Sequence, residues 1–524
     1  VTDQRLRLTQ RLARLQGGLI AALIVGATVA FGGDAWWVRP VLGAGLALLA
    51  VAGLARATLE RDWRVMVSPL APIAMLTIAL AVIQLVPLPP SLTSRLSPQA
   101  RAAHVFGALP SAVAADDPDE ARAQPDPGPA RVPVSLDRAA TLRWAVGAIG
   151  GLFLFVAVAY YADRLDRARL VWGSVVAALY LTTALALIQW VGGTDALLVI
   201  LREPGRGPSW APSLVDLASE SGRGELRPLL EPDGRTSPWS YYRMDRPAPA
   251  GAFVAGRSAL IALGALGLPL ALGLGLHSLA SRGSRERLRD RLAEPGRNGL
   301  MVLVLVLTPL AAGTCGYAAG WGLAAPLALG LVVAGLPGAW SSGLRWTAVG
   351  LTALTLVAAS VGAALGDPLG HPEGPGVPVT VADWREAREL ARDAIDVARD
   401  FPAMGVGLGG FPSVQAYYKH RDTTTANAAP AVLRWWAEAG LAGIALAGLA
   451  AIWGLARLPI MLRRVGSADR VLAFALTGSL LAFAVTSLVQ PTLQAAAVAL
   501  AACAVAGTAE RWLAGGTDLF AESL

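Results

Sequence analysis

The chain has 524 residues, of which 54% are hydrophobic and 15% charged, and its formal net charge is +7. Soluble domains carry about 25% charged residues, so this chain lacks the polar surface to face water, and the same apolar excess excludes a disordered chain. The composition therefore points to an all-α, polytopic integral membrane protein.

A helix needs about 20 apolar residues to cross the hydrocarbon core. Runs of that kind fall near 17–33, 36–55, 65–86, 144–161, 170–191, 258–278, 299–318, 321–340, 346–364, 439–456, 471–488 and 493–508. About twelve spans are predicted on that length criterion. The first run follows Arg5, Arg7, Arg11 and Arg14 as a signal peptide would, but Asp34-Ala-Trp-Trp-Val-Arg-Pro40 offers no small-x-small cleavage site. It reads as a retained span. Residues 1–86 thus hold the first three spans, 87–142 a loop, 143–191 the fourth and fifth spans, and 192–257 a second loop. Residues 258–364 hold the sixth to ninth spans, 365–438 a large late loop, and 439–524 the last three spans and a tail.

Arginine gives the orientation. It clusters in the N-terminal tail, at Arg56, Arg61 and Arg64, at Arg164, Arg167 and Arg169, between 282 and 297, and at Arg457, Arg463, Arg464 and Arg470. These segments alternate with the spans, so the positive-inside preference makes their side cytoplasmic, with both termini inside. The net basicity is therefore topological, and nucleic acid drops out as a partner. The three long loops lie on the other face. In the first, Ala114 to Pro133 is rich in Asp, Pro and Ala and reads as flexible. In the last, Asp383-Trp-Arg-Glu386 resembles a capping box. Trp384, Ala387, Leu390, Ala391, Ala394 and Ala398 then recur at helical spacing with Arg and Asp opposite, which predicts an amphipathic helix ending near Phe401-Pro402.

Gly405-Val-Gly-Leu-Gly-Gly410 matches G-x-G-x-x-G in letters only. A dinucleotide site needs that pattern between a strand and a helix, whereas here a helix precedes it. The reading is a glycine turn that lets backbone approach a neighbouring helix or an anionic ligand. The histidines, His104, His277, His371 and His420, show no metal-ligand spacing, and Cys315 and Cys503 read as small packing residues. No metal and no cofactor are implied. His420 reads either as a general base or as a solvated loop residue. Arg143, Arg243, Arg246, Arg257 and Arg434 lie near the outer ends of spans. Each alone reads as a headgroup anchor. Together they run against the positive-inside preference, and guanidinium forks suit the phosphates of a pyrophosphate-bearing lipid.

Several stretches resemble one family. The first is Gln84-Leu-Val-Pro-Leu-Pro-Pro-Ser-Leu-Thr-Ser-Arg-Leu-Ser-Pro98; the second is Gly251-Ala-Phe-Val254 with Leu268-Pro-Leu270. The third runs from Trp384 through Asp400-Phe-Pro402, Gly405-Val-Gly-Leu-Gly409, Phe411 and Tyr418 to Ala437-Glu-Ala-Gly-Leu441, and a fainter echo is Ser487-Leu-Val489 with Leu493-Gln494. These resemble the O-antigen ligase and polymerase superfamily of bacterial membrane proteins. Where that family carries a His-Asn pair before the loop glutamate, this chain reads Ala429-Pro430. Its polar stretch after the Gly-x-Phe motif reads Ala255-Gly-Arg-Ser258, and the His and Asp flanking Ser-Leu-Val read Thr486 and Gln490.

The resemblance implies a bacterial inner-membrane protein and a metal-independent glycosyl transfer at the periplasmic face. The donor would be an undecaprenyl-pyrophosphate-linked glycan and the acceptor a glycan, a lipid or a protein, with membrane lipids as surroundings. Arg246, Arg257 and Arg243 are expected to hold the pyrophosphate, followed by Arg434 and Arg143, and Glu438, His420 and Asp422 are the substitutes for the missing base. Glu438 equally reads as a helix cap. The alternative is a catalytically degenerate relative that binds or assembles partners in a cell-envelope polysaccharide machine. A transporter is disfavoured, because the spans carry few ionisable groups.

Overall fold

A computed structural model describes residues 2–29, 38–60, 70–97, 99–100, 103–104, 131–192, 257–280, 299–319, 330, 342–365, 384–418, 430–464, 470–489 and 496–515. Among these the chain is helical, and the β interaction is an isolated antiparallel bridge between Leu88 and Val132. The helices are α1 (Thr2–Val29), α2 (Val38–Glu60), α3 (Leu70–Leu85), α4 (Pro90–Leu96), α5 (Arg138–Tyr161), α6 (Leu165–Gly192) and α7 (Arg257–Ala280). They continue as α8 (Gly299–Ala319), α9 (Ser342–Leu365), α10 (Trp384–Asp400), α11 (Phe411–Tyr418), α12 (Ala431–Arg464), α13 (Arg470–Val489) and α14 (Ala496–Gly515).

Among the described residues, six stretches are long and apolar enough to cross a membrane: Val38–Glu60, Arg138–Tyr161, Leu165–Leu187, Ala259–Ser278, Ala431–Arg457 and Arg470–Leu488. Shorter apolar helices lie at Leu70–Leu85, Val306–Gly316 and Val349–Val361. The expected span at 321–340 lies outside the described residues, apart from Gly330, as does most of the loops at 87–142 and 192–257. Two boundaries differ from the sequence reading. The basic N-terminal tail and the apolar run that follows it form a single helix from Thr2, and α12 is broken at Gly440, so that its first nine residues stand off the helix that follows.

A helix that is apolar all round must be buried on every side, and α7 is that helix: 94% of its most apolar window is buried, against 17% for α2 and for α12. It packs against α6, α8, α13 and α14. Lipid is as apolar as leucine, so close van der Waals fit and cross-helix hydrogen bonds must hold such a bundle together. The Ser479 hydroxyl in α13 donates to the Leu266 carbonyl at 2.6 Å, in the turn of α7 that precedes Pro269. Tyr180 and Thr308 hydrogen-bond at 2.7 Å between α6 and α8, and Trp172 donates to Thr508 at 2.9 Å between α6 and α14. On α12, by contrast, Leu441, Leu449, Ile452 and Leu455 are exposed. An outward apolar face of this size is what a lipid-facing helix presents.

One end of the bundle is closed by an ion cluster centred on the buried Arg56. Arg56 at the end of α2 donates to Glu60 at 2.8 Å, to Asp163 between α5 and α6 at 3.0 Å, and to Gln16 of α1 at 3.3 Å. Arg167 of α6 takes the other side of Asp163 at 2.6 Å, and Tyr160 donates to Glu60 at 2.7 Å. Arg56, Arg164, Arg167 and Arg169, from two of the basic clusters in the sequence, belong to the segments that meet at this end. The opposite end carries the compact cap described next.

Candidate functional site

The cap grows from α10. Ala394 and Ala398 of the predicted apolar face are buried, with Val397 beside them, and the chain turns at Phe401, also fully buried. Asp393 departs from the expected pattern, being buried rather than on the solvent face. Phe401, Val406, Phe411, Val414, Tyr418 and Ala437 form a small core of their own, reached from the other side by Ala100. The Tyr418 hydroxyl donates to Asp400 at 2.6 Å and ties the end of α11 to the end of α10.

The glycine-rich stretch between these helices pairs backbone with the break in α12. Val406 N donates to Ala437 O at 3.0 Å and Gly407 N to Glu438 O at 3.1 Å, while Leu441 N donates to Pro402 O at 2.8 Å. Gly405 and Gly440 both sit at positive φ, +68° and +63°. A Cβ on Gly405 would fall on the Glu438 carbonyl, and one on Gly440 on the Ala403 carbonyl. Only glycine combines that conformation with that approach. Of the two readings of the motif, the structure shows backbone against a neighbouring helix.

A single side chain holds this junction. Gln84, fully buried at the end of α3, donates through Nε2 to Met404 O at 2.6 Å and to Glu438 O at 3.0 Å. Its Oε1 accepts from Leu408 N at 3.0 Å, and its own carbonyl accepts from Ser135 N at 3.0 Å. Two donors meet two carbonyls and one acceptor meets one N–H, so the network fixes which way the amide points.

Of the expected site residues, the structure brings Glu438 and Arg434 together. The Arg434 Nε donates to Glu438 Oε1 at 2.8 Å, one helical turn apart, and Phe411 N donates to the same oxygen at 3.4 Å. The Glu438 side chain is 4% exposed. It therefore lies at the start of α11, where a carboxylate complements the helix dipole. Arg143 is exposed on the second turn of α5, near Asp137. Arg257 is the first residue of α7, and its side chain is outside the described set. Arg243, Arg246, His420 and Asp422 also lie outside the described residues.

Beside the cap is a pocket of about 490 Å³ whose polar lining is His104, Arg131, Asp137, Arg138 and Ser413. Asp137 caps α5, accepting from Ala140 N at 2.9 Å and from Ser413 Oγ at 2.6 Å. Partial burial pushes its carboxyl up, but the hydrogen bonds from Ser413 and Ala140, with Arg143 nearby, outweigh this and hold it below its ordinary 3.8. Burial pushes His104 below its ordinary 6.5, with Arg138 adding to the effect and the Ser135 carbonyl opposing it. The ring Nε2 is 3.3 Å from that carbonyl, which can only accept, so Nε2 carries the proton.

Sequence reading alone did not single out Gln84 as the clamp, nor Asp137 and Ser413 as its neighbours. A signal existed for Asp137, since Asp directly before an apolar helical run is an N-cap pattern. Gln84 opens the first stretch quoted for the resemblance, but nothing in the letters around it or Ser413 shows what they bond, because their partners lie hundreds of residues away. No protein-family model, curated protein or solved structure matches the chain.

Proposed function

We propose that the protein transfers or polymerises an undecaprenyl-pyrophosphate-linked glycan at the periplasmic face of a bacterial inner membrane, in the manner of the O-antigen ligases and polymerases it resembles. The observation that carries this reading is the cap. Two of the stretches quoted for the resemblance, Gln84–Pro98 and the one running from Trp384 to Leu441, are far apart in sequence and meet there through Gln84, Gly405 and Glu438. The reading includes about twelve spans, both termini cytoplasmic, and residues 365–438 as the outer loop, consistent with spans of about 20 residues and the arginine bias.

In this proposal an acceptor hydroxyl attacks the anomeric carbon as its bond to the pyrophosphate oxygen breaks, and the lipid pyrophosphate leaves. Arg246, Arg257 and Arg243, then Arg434 and Arg143, would neutralise the leaving group, an electrostatic assistance of several kcal/mol. Positioned acid–base groups contribute about 10²–10⁴ in rate. Burial and the bonds to Arg434 and Phe411 favour a positioning role for Glu438, which leaves His420 and Asp422 as the bases to test. The second reading, a degenerate subunit that binds or assembles partners in an envelope polysaccharide machine, is favoured by the same engagement of Glu438 and by Ala429-Pro430 in place of the His-Asn pair.

The test is deletion of the gene, with lipid-linked and surface glycans analysed side by side and complementation by wild type and by Arg246→Ala. Arg434→Ala is a poor substitute, because it strands a buried carboxylate. A transferase predicts accumulated lipid-linked glycan, lost surface glycan and no rescue by Arg246→Ala. Full rescue by that variant supports the assembly subunit, and unchanged glycan pools sink both readings.

A further inference from the structure

We infer that the pocket lined by His104, Arg131, Asp137, Arg138 and Ser413 is a binding site for a phosphate group carried on a larger molecule. The inference stands on these side chains and does not depend on the transferase reading; of that reading's residues, Glu438, Arg434 and Arg143 have described side chains and do not line the pocket.

The polar groups of the pocket divide into those already engaged and those free to act. Both carboxylate oxygens of Asp137 are taken, Oδ1 by Ala140 N and Oδ2 by Ser413 Oγ, and His104 is turned to the Ser135 carbonyl. Arg131 and Arg138 are exposed and carry no side-chain hydrogen bond or ion pair among the described residues. Two guanidinium groups thus face a cavity whose one carboxylate is occupied as a helix cap. The excess of positive charge there bears on His104, which Arg138 helps to keep neutral.

The chemistry of the ligand follows from three features. Guanidinium forks match the paired oxygens of phosphate. The N-terminus of α5 opens on the same pocket through Asp137 and Arg138, adding a helix dipole that favours an anion. The cavity, about 490 Å³ with Val132, Pro133 and Leu136 in its wall, has room for more than an inorganic ion and presents apolar surface to whatever carries the phosphate. Arg138 is also the first residue of a candidate membrane span. A phosphate can reach this depth in two ways, as a lipid headgroup or on a water-soluble ester.

Purified full-length protein in a neutral detergent would be titrated with short-chain phosphatidylglycerol and, separately, with glycerol phosphate. Wild type would be compared with Arg131→Gln/Arg138→Gln and with Arg399→Gln, an exposed arginine of α10. The expected result is saturable binding of at least one probe, weakened about tenfold or more in the double variant and unchanged in Arg399→Gln. Binding of the lipid alone assigns a headgroup, and comparable binding of both assigns the phosphate itself. Absence of saturable binding of either probe overturns the inference, as does equal loss in Arg399→Gln, which would mean bulk attraction. Retained binding in the double variant also overturns it. None of these outcomes bears on the glycan analysis with Arg246→Ala, so the two proposals fail separately.

Discussion

Gln84 is the residue on which the cap depends most. Its amide replaces three backbone partners at once, serving Met404, Leu408 and Glu438 in a fully buried position. Gln84→Leu keeps much of the volume and leaves the Met404 carbonyl and the Leu408 N–H without their partner, each costing about 1–3 kcal/mol, while the Glu438 carbonyl keeps its bond from Gly407 N. The cap is expected to open before the bundle melts, with amide exchange at 404–408 accelerating while α7 stays protected; unchanged protection at 404–408 would count against the clamp. Asp137 and His104 give the cap a pH dependence of one sign. A carboxyl held below 3.8 stabilises the fold above that pH and loses its contribution as pH falls through the folded value. A histidine held below 6.5 stabilises the fold in its neutral form, fully above pH 6.5 and progressively less below it. Acidification should therefore raise exchange at 137–141 in two stages. His104→Gln should remove the stage that begins near 6.5, and Asp137→Asn the one below 3.8.

Among the elements, the packing of α8 on α9 shows how small residues set the helix spacing. Gly316 lies so close to α9 that a Cβ would fall on the Ala359 carbonyl, whereas a Cβ on Gly350 of α9 would meet nothing within 4 Å. Gly316→Val must push the helices apart, at a cost of about 1–3 kcal/mol or more, while Gly350→Ala should be neutral or stabilising by up to about 1 kcal/mol. Thermal unfolding of the detergent-solubilised variants checks the pair, and equal melting temperatures would sink the argument. The elements themselves were largely legible. The capping box and apolar spacing placed α10, and apolar runs placed the spans now seen as α5, α6, α7 and α13. The break at Gly440 was not legible, because Glu-Ala-Gly-Leu suits a continuous helix, and the positive φ is imposed by the backbone of residues 402–405 packed against it.

On the scale of the whole molecule, the bundle is tied off at its two ends by different means. The cap uses backbone pairing and a buried amide. The other end uses Arg56, whose side chain is 3% exposed and which joins α1, α2 and the α5–α6 turn. Removing one partner of a buried ion pair costs about 3–5 kcal/mol, and the cost here lies toward the low end, because the remaining Glu60 and Asp163 side chains are 27% and 26% exposed. Arg56→Leu is expected to lower the melting temperature sharply, and adding Glu60→Gln and Asp163→Asn should recover part of the loss. A melting temperature that drops further in the triple variant would contradict this account.

Sequence alone determined that the chain is a helical membrane protein, where most of its helices run, and which end carries the basic loops, since length, apolarity and arginine bias act locally along the chain. Tertiary structure alone decided what Glu438, Gln84 and Ser413 do. Glu438 could cap a helix or take a proton on sequence grounds, and its burial against Arg434 and the start of α11 follows from where the break in α12 places it. Gln84 and Ser413 acquire their partners across separations of 354 and 276 residues. Hydrogen-bond geometry at that range is set by how helices pack, and no local pattern of residues encodes it.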